Sequence, residues 1–134
     1  MRIRRIRDDE PELYRLIAPL VMNSKILKSN NNYPFKNFPG TVWYVAMENG
    51  DVSGFMPLKK NNTGFYIDNY YISDDDPDII DGLLDSITED IPVNSILTAL
   101  VHKRHMNDFW RNHFNTMREL INYEMMQYTL IKHE

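Results

Sequence analysis

Residues 64–101 constrain the fold more than any other stretch. Residues 65–72 (FYIDNYYI) have strand composition. Asp76 then reads as a helix N-cap with Pro77 at the first helical position. Ile79, Ile80, Leu83, Leu84 and Ile87 recur at helical spacing. Residues 95–101 (SILTALV) are a continuous apolar run of the length of a buried strand. Strand, helix and strand in this order make a right-handed crossover between parallel strands. The chain therefore builds a sheet with a parallel pair inside it and a helix across one face.

The same stretch carries charge of one sign. Residues 61–101 hold nine acids (Asp68, Asp74, Asp75, Asp76, Asp78, Asp81, Asp85, Glu89, Asp90) and no Lys or Arg, a balance of −9. The remainder has fifteen bases and ten acids, a balance of +5. A strand followed by a tight turn and a helix N-terminus has the shape of an anion site, yet this turn is lined with aspartates. The acidic run reads either as a solvated helix face or as a surface that docks a basic partner. The acidic overall balance and the lack of a basic-aromatic stripe argue against nucleic acid as a partner.

The chain has no cysteine, which removes disulfides, thiolate metal sites and a cysteine nucleophile and suits a cytoplasmic setting. The basic N-terminus has no apolar segment after it, so it does not read as a signal peptide, and no run is apolar enough to span a membrane. At 134 residues the expectation is one domain over 1–134.

The remaining elements follow from local patterns. Residues 2–5 form a short first strand between Ile3 and Ile6. Asp8 or Asp9 caps a helix that carries Leu13, Leu16, Ile17, Leu20 and Val21, and Pro19 is expected to kink it or end it early. A second short helix is expected around Ile26 and Leu27, then a loop over 33–40. Residues 42–48 and 52–59 flank Asn49-Gly50, the preferred two-residue hairpin turn. Pro57 marks an edge position or a bulge. After the buried strand and the basic turn 102–105, residues 106–115 read as a helix with Phe109, Trp110 and Phe114 on its apolar face, and residues 123–131 as the last strand. The fold class is α/β (α+β), with a mixed sheet of six to seven strands flanked by helices.

That element order resembles the GNAT superfamily of N-acetyltransferases over nearly the whole chain. The hairpin Asn49-Gly50-Asp51-Val52-Ser53-Gly54-Phe55 and the late Asn107, Phe109-Trp110 and Phe114 are similar to family patterns. The resemblance implies an acyl-CoA N-acyltransferase fold and acetyl-CoA as cofactor. It also implies a small-molecule or protein amine as acceptor, with direct attack of the amine on the thioester. Cofactor contacts would come from the main chain of residues 70–76, including Tyr70 and Ile72, with Asn107 from the last helix. The family signature, Arg/Gln-x-x-Gly-x-Gly/Ala, falls on Asp75, Asp78 and Ile80, and none of the three matches. A carboxylate about 4 Å from a phosphate charge near a surface costs on the order of 4 kcal/mol, or about three decades of affinity. Lys103 and Arg104 follow the neighbouring parallel strand and would supply compensating positive charge at the same sheet edge. The family's proton-donating Tyr falls on Phe109 or Trp110, which have no phenolic O–H.

Among single residues, Asp68 lies in the aromatic run. Facing the splayed centre of the sheet, it would be raised in pKa by burial and become a candidate base. The alternative is an exposed carboxylate on a meander strand. His102 and His105 stand i, i+3 near a strand end, and a metal site would need a third ligand such as His113, so no metal is expected. The function expected is an acetyl-CoA-dependent N-acetyltransferase with a non-consensus pyrophosphate loop. The alternatives are an inactive GNAT-fold interaction module that works through its acidic face, and a binder of another small ligand in the cleft between the parallel strands. The last strand and the Pro57 edge are candidate homodimer surfaces.

Overall fold

The computed structural model describes residues 1–129. Strand β1 (Arg2–Arg7) is followed by helices α1 (Pro11–Val21) and α2 (Ser24–Ser29), then by β2 (Val42–Glu48), β3 (Asp51–Lys60), β4 (Phe65–Ile67) and β5 (Tyr71–Ile72). Helix α3 (Pro77–Asp90) leads to β6 (Leu97–His102), α4 (Met106–Arg111), β7 (Phe114–Glu119) and β8 (Tyr123–Tyr128). The eight strands form one sheet in the order β1-β2-β3-β4-β6-β8-β7, with β5 beside β3. The β4/β6 pair is parallel and the other pairs are antiparallel. This is the mixed α/β sheet that the crossover demands.

Local chemistry explains the frame. Asn49 and Gly50 both take positive φ (51° and 85°), the type I′ geometry that joins β2 to β3 without splaying them. At Gly54 a Cβ would lie 2.8 Å from the Tyr71 carbonyl oxygen and 2.9 Å from Ile79 Cγ2, so only glycine lets β3, β5 and α3 come this close. Helix α3 buries Ile79, Ile80, Leu83, Leu84 and Ile87 against Tyr44, Met56, Ile67, Leu97 and Ala99 on one face of the sheet. Helix α4 adds Phe109 above Phe114 and Met126 on that face. On the other face α1 packs Leu13 and Ile17 against Ile6, Trp43, Val45 and Phe55. That second core draws nothing from β6, β7 or β8, and Thr98, Leu100 and Met125 on those strands are only half-buried.

Several sequence expectations give way. Residues 106–115 are not one helix: α4 stops at Arg111, His113 turns at φ 71°, and Phe114 opens β7. Of the β7 residues only Phe114 is buried, so this edge strand shows no apolar alternation. Residues 65–72 are not one strand, because β4 and β5 are separate pieces with different partners. The first strand runs on to Arg7. Glu10, not Asp8 or Asp9, is the N-cap of α1, and Pro19 sits in the last turn without stopping the helix before Val21. Strand β3 is flanked on both sides, so Pro57 is not at an edge; it stands opposite a bulge in the neighbouring strand. The last strand ends at Tyr128, and residues 130 and 131 of the expected strand lie outside the described residues.

Candidate functional site

The sheet forks at its centre. Strand β4 pairs with β6 through Phe65↔Leu97, Tyr66↔Thr98 and Ile67↔Ala99. Beyond these pairs β5 stays with β3 (Phe55↔Tyr71, Gly54↔Ile72), while β6 continues along β8 (Leu100↔Met125 to His102↔Tyr123). Leu58 pairs with Ile67 and Phe55 with Tyr71, so residues 56–57 face residues 68–70, two against three. The additional residue makes a β-bulge, and Asn69 within it takes φ 50°. Asn is among the few side chains that adopt this left-handed conformation readily.

Side chains bridge the fork. The Tyr70 hydroxyl lies 2.7 Å from His105 Nδ1 and accepts from the His102 main-chain N–H at 3.2 Å. His105 Nε2 lies 2.6 Å from Asp75 Oδ1, and Arg104 Nε donates to the same oxygen at 2.9 Å. Arg104 Nη1 also donates to the Ser29 carbonyl of α2. Tyr70 and His105 are 7% and 1% exposed. Burial pushes the Tyr70 phenol well above its ordinary pKa. Burial likewise lowers the His105 pKa, against the opposing bond to Asp75. Burial pulls Asp75 upward, but the bonds from Arg104 and His105 outweigh it and hold the carboxyl below its ordinary pKa. A neutral His105 with its proton on Nε2 donates to Asp75 and accepts from the Tyr70 O–H, which satisfies every group in the chain.

The first turn of α3 is matched from within. The Asp76 side chain accepts from the Asp78 N–H at 2.9 Å, and the Asp76 carbonyl accepts from the N–H groups of Ile79 and Ile80. Pro77 has no N–H to offer. Ile80 is fully buried, and Asp78 is exposed. These donors do not fit a diphosphate in the manner of a glycine-rich turn, because an internal carboxylate and carbonyl already hold them. The acidic run is also less bare than the sequence implies. Asp68 pairs with Lys59, Asp75 with Arg104, Asp81 with Arg111 and Asp90 with Arg5, so bases from outside the run neutralise part of it.

Asp68 lies in the bulge, not within a strand. It lines a cavity of about 310 Å³ with Asn61, Tyr66, Thr98, Leu100 and Met125, on the face of β6 and β8 that no apolar core covers. Its Oδ1 accepts from Lys59 Nζ at 2.6 Å. Lys59 is itself buried, with its ammonium 4.8 Å from the Phe38 ring centroid and 5.7 Å from that of Tyr66. The Asp68 carboxylate is thus oriented by a cation in an aromatic cage.

The other expected site residues disperse. Arg104 reaches the α3 turn, but Lys103 turns away to Glu119 at 2.7 Å. Ile72 is buried beside β3. Asn107 lines a separate cavity of about 340 Å³ with Met106, Trp110, Thr116 and Met126. Phe109 is fully buried, whereas Trp110 is 66% exposed. Among the described residues no group of three His, Asp or Glu is placed to hold a metal ion. The His105 nitrogens are committed to Tyr70 and Asp75, and His102 Nδ1 accepts from the Arg104 N–H. Sequence reasoning missed the joint role of Tyr70 and His105, which stand 35 residues apart. The available signal was Asn69, a left-handed-tolerant residue inside an otherwise strand-like run.

No protein-family model matches the chain, and no curated protein does. Solved structures do. The chain is similar to Escherichia coli ElaA (TM-score 0.73, 11% identity, covering 96% of this chain and 100% of that one). It is equally similar to an acyl-CoA N-acyltransferase from Pseudomonas aeruginosa (TM-score 0.73, 12% identity, 96% and 100% covered). The Campylobacter jejuni N-acetyltransferase PseH, solved in complex with acetyl coenzyme A, matches at TM-score 0.57 and 14% identity, over 94% and 97% of the two chains. The chain therefore has the acyl-CoA N-acyltransferase fold. No helix among the described residues is long and apolar enough to cross a membrane.

Proposed function

We propose that this protein is an acetyl-CoA-dependent N-acetyltransferase with a non-consensus diphosphate loop. One observation carries the reading: the strand that parts from its parallel neighbour is bulged at the parting, and the bulge places a carboxylate in a cavity on the open face. A fold neighbour solved with acetyl coenzyme A adds support. Acetyl-CoA supplies an acetyl group activated as a thioester. The main chain of residues 68–70, outside both ladders, would hold that thioester, with Tyr70 and Ile72 along one prong; the turn at Asp75, Asp78 and Ile80, with its donors held by Asp76, would not hold the diphosphate as a glycine-rich turn does. Arg104 supplies positive charge at that turn, whereas Lys103, held by Glu119, and Asn107, in a separate cavity, do not reach it.

Asp68 acts as the base. It takes a proton from the acceptor amine as the nitrogen bonds to the acyl carbon and the carbon–sulfur bond breaks, leaving a thiolate that solvent protonates. Lys59 holds the carboxylate in place. The cavity suits a small amine with an apolar body, since Leu100 and Met125 line it. The reading carries a cytoplasmic setting, where acyl-CoA is available; the last strand, β8, is flanked by β6 and β7 and is no edge, so a homodimer would form through the exposed edge of β7 instead. The test is release of free thiol from acetyl-CoA against a panel of small primary amines. Asp68→Asn should lower the rate by about 10²-fold or more, and an unchanged rate removes Asp68 from its role.

The matched donors of the α3 turn favour a second reading, an interaction module that binds no acyl-CoA. Asp74 in the preceding turn and Asp78, Asp85 and Glu89 along α3 remain exposed to meet a basic partner. Thiol release with any amine excludes this reading. Its absence with every amine, with a bound partner lost on neutralising Asp78, Asp85 and Glu89, favours it.

A further inference from the structure

Strand β7 holds a second bulge. Thr116 pairs with Met126 and Arg118 with Met125, so Met117 between them is an additional residue. In an unbroken ladder Met117 would stand opposite Met125, and Arg118 opposite Glu124. Residues directly opposite on neighbouring strands share a face, so the bulge moves Arg118 from the α4 face to the open one. The move is unfavourable at Glu124, which lies opposite Val101 of the α3 and α4 core. Glu124 is 7% exposed and meets Glu119 across the ladder instead of an arginine, and its buried Oε2 has no donor among the described residues. Arg118 is left without an acid as well. Arg4, Arg5, Arg7, Arg15, Arg104 and Arg111 each pair with Asp or Glu, whereas the exposed Arg118 has no ion pair among the described residues.

On the open face Arg118 ends a row. Leu100 pairs with Met125 and Met125 with Arg118, and the first two line the cavity that holds Asp68. The adjacent row is polar: Thr98, also in the cavity wall, pairs with Gln127, and Gln127 with Asn115. Each end of the apolar row therefore carries a charge set in place by a bulge, a carboxylate beside β6 and a guanidinium on β7. Strands lie about 4.8 Å apart, so the main chain at Leu100 and that at Arg118 are separated by about 10 Å, part of which the arginine side chain spans. We propose that Arg118 binds the carboxylate of an acceptor whose amine lies at Asp68, so that the open face selects small amines with a carboxylate at the far end of a short apolar chain. Use of that ligand as an acceptor rests on the acetyltransferase reading above; its binding does not. A carboxylate accepts from a guanidinium through two parallel N–H groups, while Leu100 and Met125 cover the chain between. An amine without the carboxylate leaves Arg118 to solvent.

The test uses the full chain with 6-aminohexanoate and hexylamine as probes. With acetyl-CoA present, thiol release should show a kcat/KM for 6-aminohexanoate about tenfold or more above that for hexylamine. Arg118→Gln should lower that ratio about tenfold, chiefly through KM. Arg118→Lys should restore part of it, and Arg2→Gln, on the opposite edge of the sheet, should leave it in place. Without acetyl-CoA, the NMR signal of the Arg118 Nε–H should shift as 6-aminohexanoate is added and stay in place with hexylamine. Equal kcat/KM for the two amines, or a ratio that Arg118→Gln leaves intact, overturns the carboxylate site and leaves the acetyltransferase reading standing. An Arg118 signal that 6-aminohexanoate does not move overturns the site as well. No thiol release with any amine, but a shift at Arg118 with 6-aminohexanoate, removes the acetyltransferase reading and supports the site as one that binds amino carboxylates. Neither release nor shift overturns both.

Discussion

The two halves of the sheet are built differently. Strands β1, β2 and β3 are covered on both faces, by α3 on one and α1 on the other. Strands β6, β8 and β7 are covered on one face by α3 and α4 and contribute nothing to the second core. The doubly covered half carries stability. The singly covered half leaves open the cavity beside Asp68 and the exposed edge of β7. The fork is the seam between them, and its polar side chains join a rigid half to an open one. A fold of this kind places its chemistry at the point where the packing constraint ends.

The largest expected effect tests that division directly. Phe55 is fully buried and packs edge-on to Phe35 and beside Trp43 and Tyr71. Phe55→Ala should cost about 3–5 kcal/mol, measured by denaturant unfolding. Met125→Ala in the open half should cost about 1 kcal/mol. Equal losses would break the comparison. Gly54→Ala comes next, at about 1–3 kcal/mol, because the new Cβ meets the Tyr71 carbonyl and Ile79 in the doubly covered half. A neutral result would mean that β5 and α3 yield there. The Tyr44 phenol is a finer probe of the same half. Burial, with the bond to Asp90, pushes its pKa up to about 12 from 10.0. The protonated phenol is favoured in the fold, so its contribution is fully present below pH 10.0 and is lost as the pH rises through about 12. Ultraviolet titration of the phenols should show a late transition that Tyr44→Phe removes, separate from that of the buried Tyr70 phenol, and its absence would mean that the site admits water. The smallest effect belongs to the surface pair of Asp81 and Arg111. Asp81→Asn should cost about 0.2–1 kcal/mol by the same unfolding assay.

The legible parts of the sequence follow this division. The hairpin at Asn49-Gly50, the cap at Asp76 and the five apolar positions of α3 all take their expected places, because local propensity and burial agree there. Strand β7 was not legible, since an edge strand with one buried side chain has no period-2 signal. The bulge hid inside FYIDNYYI because Tyr70, Tyr71 and Ile72 keep strand-like chemistry across it. The site was legible in its charge and not in its pairing. The aspartates at 74–76 stand out in the sequence, but Arg104 and His105, which hold Asp75, come from the next crossover. Asp68 was singled out as a carboxylate near the splay, whereas its partner Lys59 lies across the turn from β3 to β4 and is not visible as such.

Thermal unfolding with and without acetyl-CoA tests the central claim most directly. A ligand at about ten times its dissociation constant stabilises the folded state by about 1.4 kcal/mol, which raises the melting temperature by several degrees in a domain of this size. The account predicts that rise at about 1 mM acetyl-CoA, for a dissociation constant on the order of 100 μM, and a larger rise for Asp75→Asn. A melting temperature that stays fixed in both proteins would contradict it.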